Sequence, residues 1–470
     1  MTKLPKINRG TIPTSVGIKI SKKPTYIKFA EDVDFYELFQ KIEQQFDTCF
    51  IFESLGIEGK FSRYSIIGFD PPSIITAREN NLIIDGKIYS VKNPLDRRSQ
   101  GCNPYFALRN IIPTQTIARN YAGGLIGYLS YEAVNYFETK LHIKVHELFD
   151  QFMFGVYTDG LILDKLTNEL FYFYYDKNRS NILKDIMRSK FKSKTLKVRF
   201  IKDGLTKKEH AEIVERVKEH IRAGNTFQCE VGFKTEYEIS GDTLKIYEKL
   251  RKVNPSPFMY YLKFGEKIII GASPELLFSL RDGEMTTRPL AGTIKRGKNE
   301  MEDRELARTL LNDPKERAEH NMLVDMHRND IGRVAQFGTV RVRDLMTVKK
   351  FSHVQHISSE VVGIIRPEED MFSALVSNFP MGTVCGTPKV ETIKIIDSNE
   401  PEARGPYGGG VGHFGFNGDC TFALALRSLF ISDKYAYSQT SGGVVYDSVP
   451  EKEYDEIQRK LAAMREVLEV

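Results

Sequence analysis

Apolar and polar residues alternate in short runs over much of the chain, and turn residues cut those runs at close intervals. In the first half, residues 24–29, 48–52, 65–69 and 73–76 read as strands, a spacing that favours antiparallel sheet. Residues 35–46 repeat their apolar positions at helical spacing instead. The aromatic, glycine-rich segment 121–131 leads to a strand pair near 155–175. A basic, weakly patterned stretch over 177–204, which includes Arg179, Lys184 and Arg188, reads as a solvated connection between two halves. The second half opens on a capping box, Thr206 with Glu209, before a helix carrying Ile213, Val214, Val217 and Ile221 that Gly224 ends. Strands are predicted near 227–237, 258–264, 267–271, 275–280, 339–343, 359–364, 421–431 and 435–446, and a helix over 301–312. No repeat or low-complexity tract interrupts the series.

Two helices carry charge where packing alone does not explain it. One begins at Asp313-Pro314, with Glu316 completing a capping box and proline at the first helical position. Along it Glu319, Met322, Met326 and Asp330 share a stripe. The rim of a buried face accounts for that mixture, and so does a cleft. The last helix is expected to start at a third capping box, Ser448 with Glu451, and to pack Ile457, Leu461, Met464 and Leu468. Glu456 and Lys460 sit at its edge, where an exposed ion pair four residues apart is the ordinary outcome. Yet this helix follows Ser441-Gly442-Gly443, whose small residues let backbone N–H groups approach an anion. Lone glutamates on two helices, with no soft ligand, are also the oxygen donors of a Mg²⁺ site that bridges to an anionic substrate. The pattern leaves both readings open.

Composition narrows the class. A length of 470 residues fits one to three domains, and 41% hydrophobic residues supply a large core, which excludes disorder. The 67 basic and 62 acidic residues leave a net charge of only +5 without a long run of one sign, so nucleic acid is not an expected partner. Cys49, Cys102, Cys229, Cys385 and Cys420 stand apart, with no paired spacing for zinc or a disulfide frame. With no apolar leader and no run of membrane-spanning length, a soluble, cytoplasmic protein with no membrane partner is expected.

Three motifs fail on context. Residues 410–415 satisfy G-x-G-x-x-G, but both flanks read as strand, where a dinucleotide site needs a helix to follow. Residues 292–299 approach a phosphate loop, but Asn299 replaces the Mg²⁺-binding hydroxyl. His353 and His356 lack a third ligand at zinc spacing.

Residues 205–468 nevertheless resemble the chorismate-utilising enzymes, nearest to their anthranilate-forming branch. The matching blocks are Asn254-Pro255-Ser256-Pro257-Phe258-Met259, Ala272-Ser273-Pro274-Glu275, Arg288-Pro289-Leu290-Ala291-Gly292-Thr293, Ala318-Glu319-His320, Arg328-Asn329-Asp330, Phe379-Pro380-Met381-Gly382-Thr383, Arg404-Gly405-Pro406-Tyr407-Gly408-Gly409, and Asp447-Ser448-Val449-Pro450 with Glu453 and Glu456. Phe52-Glu53-Ser54, Arg63-Tyr64-Ser65 and residues 123–128 match the regulatory region of the same enzymes.

The resemblance implies an α+β fold: a large antiparallel β-sandwich with peripheral helices and a deep central cleft. It implies a regulatory, tryptophan-sensing region over 1–195 and a chorismate-binding catalytic region over 196–470, interleaved in one compact structure. By position it implies Mg²⁺ on Glu319 and Glu456, and substrate contacts from Gly292, Thr293, Tyr407, Arg427, Ser441, Gly442, Gly443 and Lys460. His356, Glu275 and Thr383 fall at catalytic positions, with Glu275 the acid for the departing C4 hydroxyl. Such an acid works at neutral pH only if its pKa is raised. Ser54, Pro257, Phe258 and Met259 fall where tryptophan binds as inhibitor.

Relatives that add water carry a lysine base where Gln228 stands, and those that use a lysine nucleophile carry it where Ala291 stands. The implied reaction is therefore direct addition of ammonia at C2 of chorismate, followed by loss of pyruvate to give anthranilate. None of the five cysteines sits in a glycine-flanked nucleophile elbow, so glutamine would serve only through a separate glutamine amidotransferase subunit. The alternatives are a related aminating enzyme that makes aminodeoxyisochorismate or aminodeoxychorismate, and a non-catalytic tryptophan sensor. Several positions depart from the usual pattern: Ser441 for glycine, Thr387 for alanine, Phe258 for tyrosine, and a polar run over 227–234 in place of an apolar strand. These are expected to tune the pocket.

Overall fold

Strands with two apolar faces must be covered on both, and the chain meets that need by stacking two antiparallel sheets and laying helices outside them. The computed structural model describes residues 17–29, 33–55, 63–91, 103–118, 121–351 and 354–469. The first sheet runs, in spatial order, Thr25–Phe29, Glu169–Tyr174, Asp159–Asp164, Tyr64–Phe69, Thr48–Glu53, Phe258–Phe264, Lys267–Ser273, Ser428–Ser432, Tyr435–Val444, Gln228–Gly241 and Leu196–Asp203. The second runs Leu290–Lys295, Val354–Ile364, Glu284–Thr287, Leu276–Arg281, Cys420–Leu424, Gly410–Gly415, Gly124–Leu129, Phe152–Tyr157, Ser73–Arg78, Asn81–Ile84 and Lys87–Ser90. Each sheet therefore joins a block of early strands to a block of late ones, through Thr48–Glu53 beside Phe258–Phe264 in the first and Gly124–Leu129 beside Gly410–Gly415 in the second.

Side chains follow the two-residue period of the strands. In Phe258–Phe264, Tyr260 and Leu262 point between the sheets, where they meet Phe50, Ile126, Tyr128, Val411 and Phe430. Met259 and Tyr261 point the other way, onto Leu38, Phe39, Tyr247 and Leu250 of the helices Phe35–Glu43 and Leu244–Val253. The helices Pro314–Gly332 and Met371–Asn378 bury Val324, Ile331, Phe372 and Leu375 in the cluster that covers the second sheet.

Several expectations change on folding. The run 421–431 is not one strand: it breaks between Cys420–Leu424 and Ser428–Ser432, and the two pieces lie in different sheets. Arg427 makes that crossing at φ +49°, a left-handed conformation uncommon for a side-chain-bearing residue. The stretch 177–204 is ordered as the helix Ser180–Arg188 and the strand Leu196–Asp203. Its Arg179 is buried, its guanidinium Nη2 lying 2.5 Å from Asp159 Oδ1, because the paired charge costs less than an isolated one. The strand foreseen at 339–343 extends over Arg341–Lys350, and the one at 359–364 over Val354–Ile364.

Capping follows sequence at Thr206, where both halves of the box form. At Asp313 only one half forms: the carboxylate accepts from the Lys315 and Glu316 N–H groups, while Glu316 Oε2 turns toward Gly292. The C-terminal helix Pro450–Leu468 starts from Val449 with no side-chain cap, and Ser448 Oγ accepts instead from the Val445 N–H. Residues 410–415 are strand, as read from their flanks. Cys49, Cys229, Cys385 and Cys420 are free and buried; Cys102 and His353 lie outside the described residues. No helix among the described residues is long and apolar enough to cross a membrane.

Candidate active site

The two charged helices flank the paired strands Gln228–Gly241 and Tyr435–Val444. In that pair Glu230 lies opposite Gly443, and Gly232 opposite Ser441. Ser441 is buried and central: its Oγ donates to Glu230 Oε2 at 2.8 Å and lies 2.9 Å from the Tyr407 hydroxyl. Lys460 Nζ bonds the Ser441 carbonyl at 2.9 Å and pairs with Glu456 at the same distance. The exposed-pair reading of Glu456 and Lys460 thus holds only in part, since Lys460 also ties the last helix to the strand end. Gly442 faces the C-terminal helix: a Cβ there would stand 3.4 Å from Glu453 Oε2.

Across the cleft, Glu275 is buried where the chain passes from Lys267–Ser273 in one sheet to Leu276–Arg281 in the other. Burial pushes its pKa up to about 8, more than the hydrogen bonds from the Leu290 N–H and the Thr383 hydroxyl pull it down. Those bonds, 3.3 and 3.2 Å long, both reach Oε1. The carboxyl is therefore protonated at neutral pH. The charge that faces it is Arg427, whose own pKa burial lowers and Glu275 raises. No hydrogen bond or ion pair to its guanidinium is formed among the described residues, so a half-buried cation stands ready for an anion.

His356 lies in the strand Val354–Ile364 beside Leu290–Lys295, which bulges between Ala291 and Thr293. Gly292 occupies the bulge at φ +66°, and its carbonyl lies 2.9 Å from His356 Nδ1, with Thr293 Oγ1 at 3.1 Å. Burial pushes His356 down to about 4, so the ring is neutral. A proton on Nδ1 donated to that carbonyl leaves Nε2, buried and without a partner among the described residues, as the free base position.

Glu319 and Glu456 sit at the edges of their helices, off the packed stripes His320–Leu323–Val324–His327 and Ile457–Leu461–Met464. Asp330, from the same predicted stripe as Glu319, is instead buried in an ion pair with Lys389 at 2.6 Å. Burial raises Glu319, and the charge of Glu456 adds to it. Glu316 is raised by burial and then by Glu319, and Glu453 by burial with Glu456 contributing. For Glu456, burial is outweighed by Lys460 and its pKa is lowered. Among the described residues no group of three or more His, Cys, Asp or Glu forms a closed metal cage. The donor chemistry here, carboxylate oxygens with an excess of negative charge and no soft atom, fits Mg²⁺ held by two protein ligands and completed by others.

A second concavity lies between the sheets. About 1000 Å³ in volume with its open mouth included, it is lined by Ser54, Pro257, Phe258 and Met259 together with Arg281 and His413, and by none of the cleft residues above. The Ser54 hydroxyl is buried there without a partner among the described residues.

Glu230 and Gln228 meet in the cleft, although no motif marks Glu230 and Gln228 stands out in sequence only as the replacement for a lysine; the signal for both is the polar run 227–234 in a buried strand.

Comparison with known proteins agrees with this geometry. A family model described as chorismate binding enzyme matches residues 49–466. Anthranilate synthase component 1 of Leptospira biflexa is 50% identical over 96% of this chain and 98% of its own length. The protein of the same name from Methanothermobacter marburgensis is 40% identical over 93% of each chain. Among solved structures, anthranilate synthase component I from Streptococcus pneumoniae superposes with a TM-score of 0.76 at 30% identity, covering 88% of this chain and 94% of that one. The menaquinone-specific isochorismate synthase of Escherichia coli shares the fold, with a TM-score of 0.73 at 18% identity over 97% of both chains.

Proposed function

The chain belongs to the chorismate binding enzyme family, and we propose that within it the protein is the chorismate-aminating component of an anthranilate synthase, forming anthranilate and pyruvate at the first step toward tryptophan. The observation that carries this reading is a buried, protonated Glu275 facing an unpaired Arg427 in a cleft that offers no lysine at either position 228 or 291.

Arg427, the Tyr407 hydroxyl, Lys460 and the backbone of Ser441-Gly442-Gly443 hold the carboxylates of chorismate, the guanidinium by a two-pronged hydrogen bond. Gly292 and Thr293 position the ring. Glu319 and Glu456 would hold Mg²⁺, which when bound would supply positive charge to the ring carboxylate. Glu275, oriented by Thr383, gives its proton to the departing C4 hydroxyl as ammonia bonds to C2. His356 Nε2 is free to take the C2 proton as the ring becomes aromatic, and the methylene carbon of the departing enolpyruvyl group takes up one proton to leave as pyruvate. Gln228 and Ala291 supply neither a base for water nor an amine nucleophile. Ammonia comes from solution or from a glutamine amidotransferase subunit.

Residues 1–195 serve as the regulatory region and 196–470 as the catalytic region. Tryptophan binds in the cavity between the sheets, its indole against Phe258 and its polar end toward Ser54; Met259, expected to share that contact, turns its thioether to the opposite face of the sheet.

The test is incubation of the purified chain with chorismate, Mg²⁺ and ammonium while anthranilate fluorescence is followed. Appearance of anthranilate is expected, and an aminated product that stays non-aromatic would replace this reading by that of a related aminating enzyme. Glu319→Ala or Glu456→Ala is expected to abolish turnover at saturating Mg²⁺ with the fold intact. Near-normal activity in either variant would remove the metal assignment.

A further inference from the structure

The turn that presents Tyr407 has glycine on both sides. Gly405 and Gly408 stand at φ +65° and +71°, a left-handed conformation that glycine adopts and leaves with equal ease. At Gly405 space demands glycine as well, since a Cβ there would stand 2.4 Å from the Tyr437 hydroxyl. Such a turn keeps one shape only if its peptide groups are tied down.

The ties at Gly405 come from the first half of the chain. Its N–H donates to Glu132 Oε1 at 2.8 Å, and its carbonyl accepts from the Tyr131 N–H at 2.8 Å. Both residues belong to the short helical turn Tyr131–Tyr136, which follows the strand Gly124–Leu129. That strand pairs with Gly410–Gly415, into which the Tyr407 turn runs. Glu132 is itself held, because its carbonyl accepts from Gln151 Nε2 at 3.0 Å.

Glu132 is 1% exposed, and burial pushes its pKa up to about 7. An interior carboxyl of this kind is costly unless it serves a partner. The neighbouring cations already have theirs. The Arg404 guanidinium is spent on Glu400 and on the carbonyls of Val384 and Glu230, and the Lys234 ammonium on Glu402 and His146. Glu132 Oε2 has no partner among the described residues, where the Gly405 N–H is the one group of another residue that bonds the carboxyl. What Glu132 holds is therefore the turn, and not a charge.

We propose that Glu132 is a positioning residue for substrate binding, which clamps the Gly405 end of the turn so that the Tyr407 hydroxyl meets a carboxylate of chorismate. The inference rests on the reading above that Tyr407 touches the substrate. Tyr407 is 2% exposed and its hydroxyl lies 2.9 Å from Ser441 Oγ, so a shift at Gly405 is passed to the hydroxyl through closely packed groups. A misplacement of about 1 Å is enough to lose a hydrogen bond to the substrate. The first half of the chain thereby supplies part of the chorismate site in addition to a wall of the second cavity.

A double-mutant cycle tests the clamp. Initial rates of wild type, Glu132→Ala, Tyr407→Phe and the double variant are measured with chorismate and ammonium varied separately in Mg²⁺ buffer. In the wild-type background Glu132→Ala should raise the KM for chorismate about tenfold or more, the worth of a hydrogen bond to a charged group, and leave the KM for ammonium within about twofold. In the Tyr407→Phe background it should move the KM for chorismate by less than about twofold, because the hydroxyl it serves is gone. Should Glu132→Ala not fold, Glu132→Met, which fills the space without an accepting oxygen, takes its place in the cycle. An unchanged KM for chorismate, a matching rise in the KM for ammonium, or an equal rise in both backgrounds would overturn the clamp and leave Glu132 a support of the fold. Tyr407→Phe with the wild-type KM for chorismate would instead overturn the substrate contact on which the inference rests.

Discussion

Glu275 shows how much chemistry a single burial decides. Its carboxyl is held near 8 by desolvation, against the pull of two hydrogen-bond donors and Arg427. As a proton donor it works in the neutral form, which is full below that value and lost above it. The rate should therefore be flat toward neutral pH and fall about tenfold per unit on the alkaline side. A pH–rate profile checks this, and Glu275→Gln should lower kcat by roughly 10²–10⁴-fold while erasing the alkaline limb. An alkaline limb that survives the substitution would assign it to another group.

At the scale of elements, the site depends on one buried ion pair. Arg404 donates to Glu400 Oε1 at 2.6 Å and Oε2 at 2.8 Å, and also to the carbonyls of Val384 and Glu230 at 2.6 and 2.8 Å. It thereby ties the helix Lys389–Asn399, the turn that carries Thr383 and the strand that carries Glu230 into one unit. Glu400 Oε1 also accepts from the Gly232 N–H at 2.9 Å. Glu400→Ala leaves a guanidinium buried without its counter-charge, which costs about 3–5 kcal/mol. Chemical denaturation should show a loss of that size. A loss below about 1 kcal/mol, the usual figure for an exposed pair, would mean that water reaches Arg404.

At the scale of the whole molecule, the cavity and the cleft share strands. Phe258 pairs with Ser273, two residues before Glu275, and Ala423 of the cavity wall pairs with Leu276, one residue after it. A ligand wedged between the sheets thus acts on the backbone that places the acid. It inhibits to the extent that it binds one spacing of the sheets better than another. Tryptophan titration of wild type and Ser54→Ala is expected to show inhibition of the first and reduced sensitivity of the second, with equal ammonium-dependent rates in its absence. Equal inhibition of both proteins would move the inhibitor elsewhere.

The strand-and-turn rhythm, the amphipathic helices and the ordered motif blocks were legible along the chain, because they depend on local period and on residue type. Glu319 and Glu456 could be singled out because a lone acid at the edge of an apolar stripe is a local anomaly. Long-range packing decided the rest. Arg427 looked like the interior of a strand until the sheet switch gave it its left-handed turn. Arg179, just before the helix Ser180–Arg188, looked solvated until Asp159 of the strand Asp159–Asp164 came within bonding distance, and Ser448 looked like a helix cap until the Val445 N–H took its hydroxyl. Glu230 stood in plain view as a polar residue in a strand. What it faces is set by Gly443 and Ser441, more than two hundred residues away in sequence but adjacent across one ladder of hydrogen bonds. The sequence fixes which groups are available and which faces are buried. Only the pairing of distant strands brings their charges close enough to shift one another and makes a site.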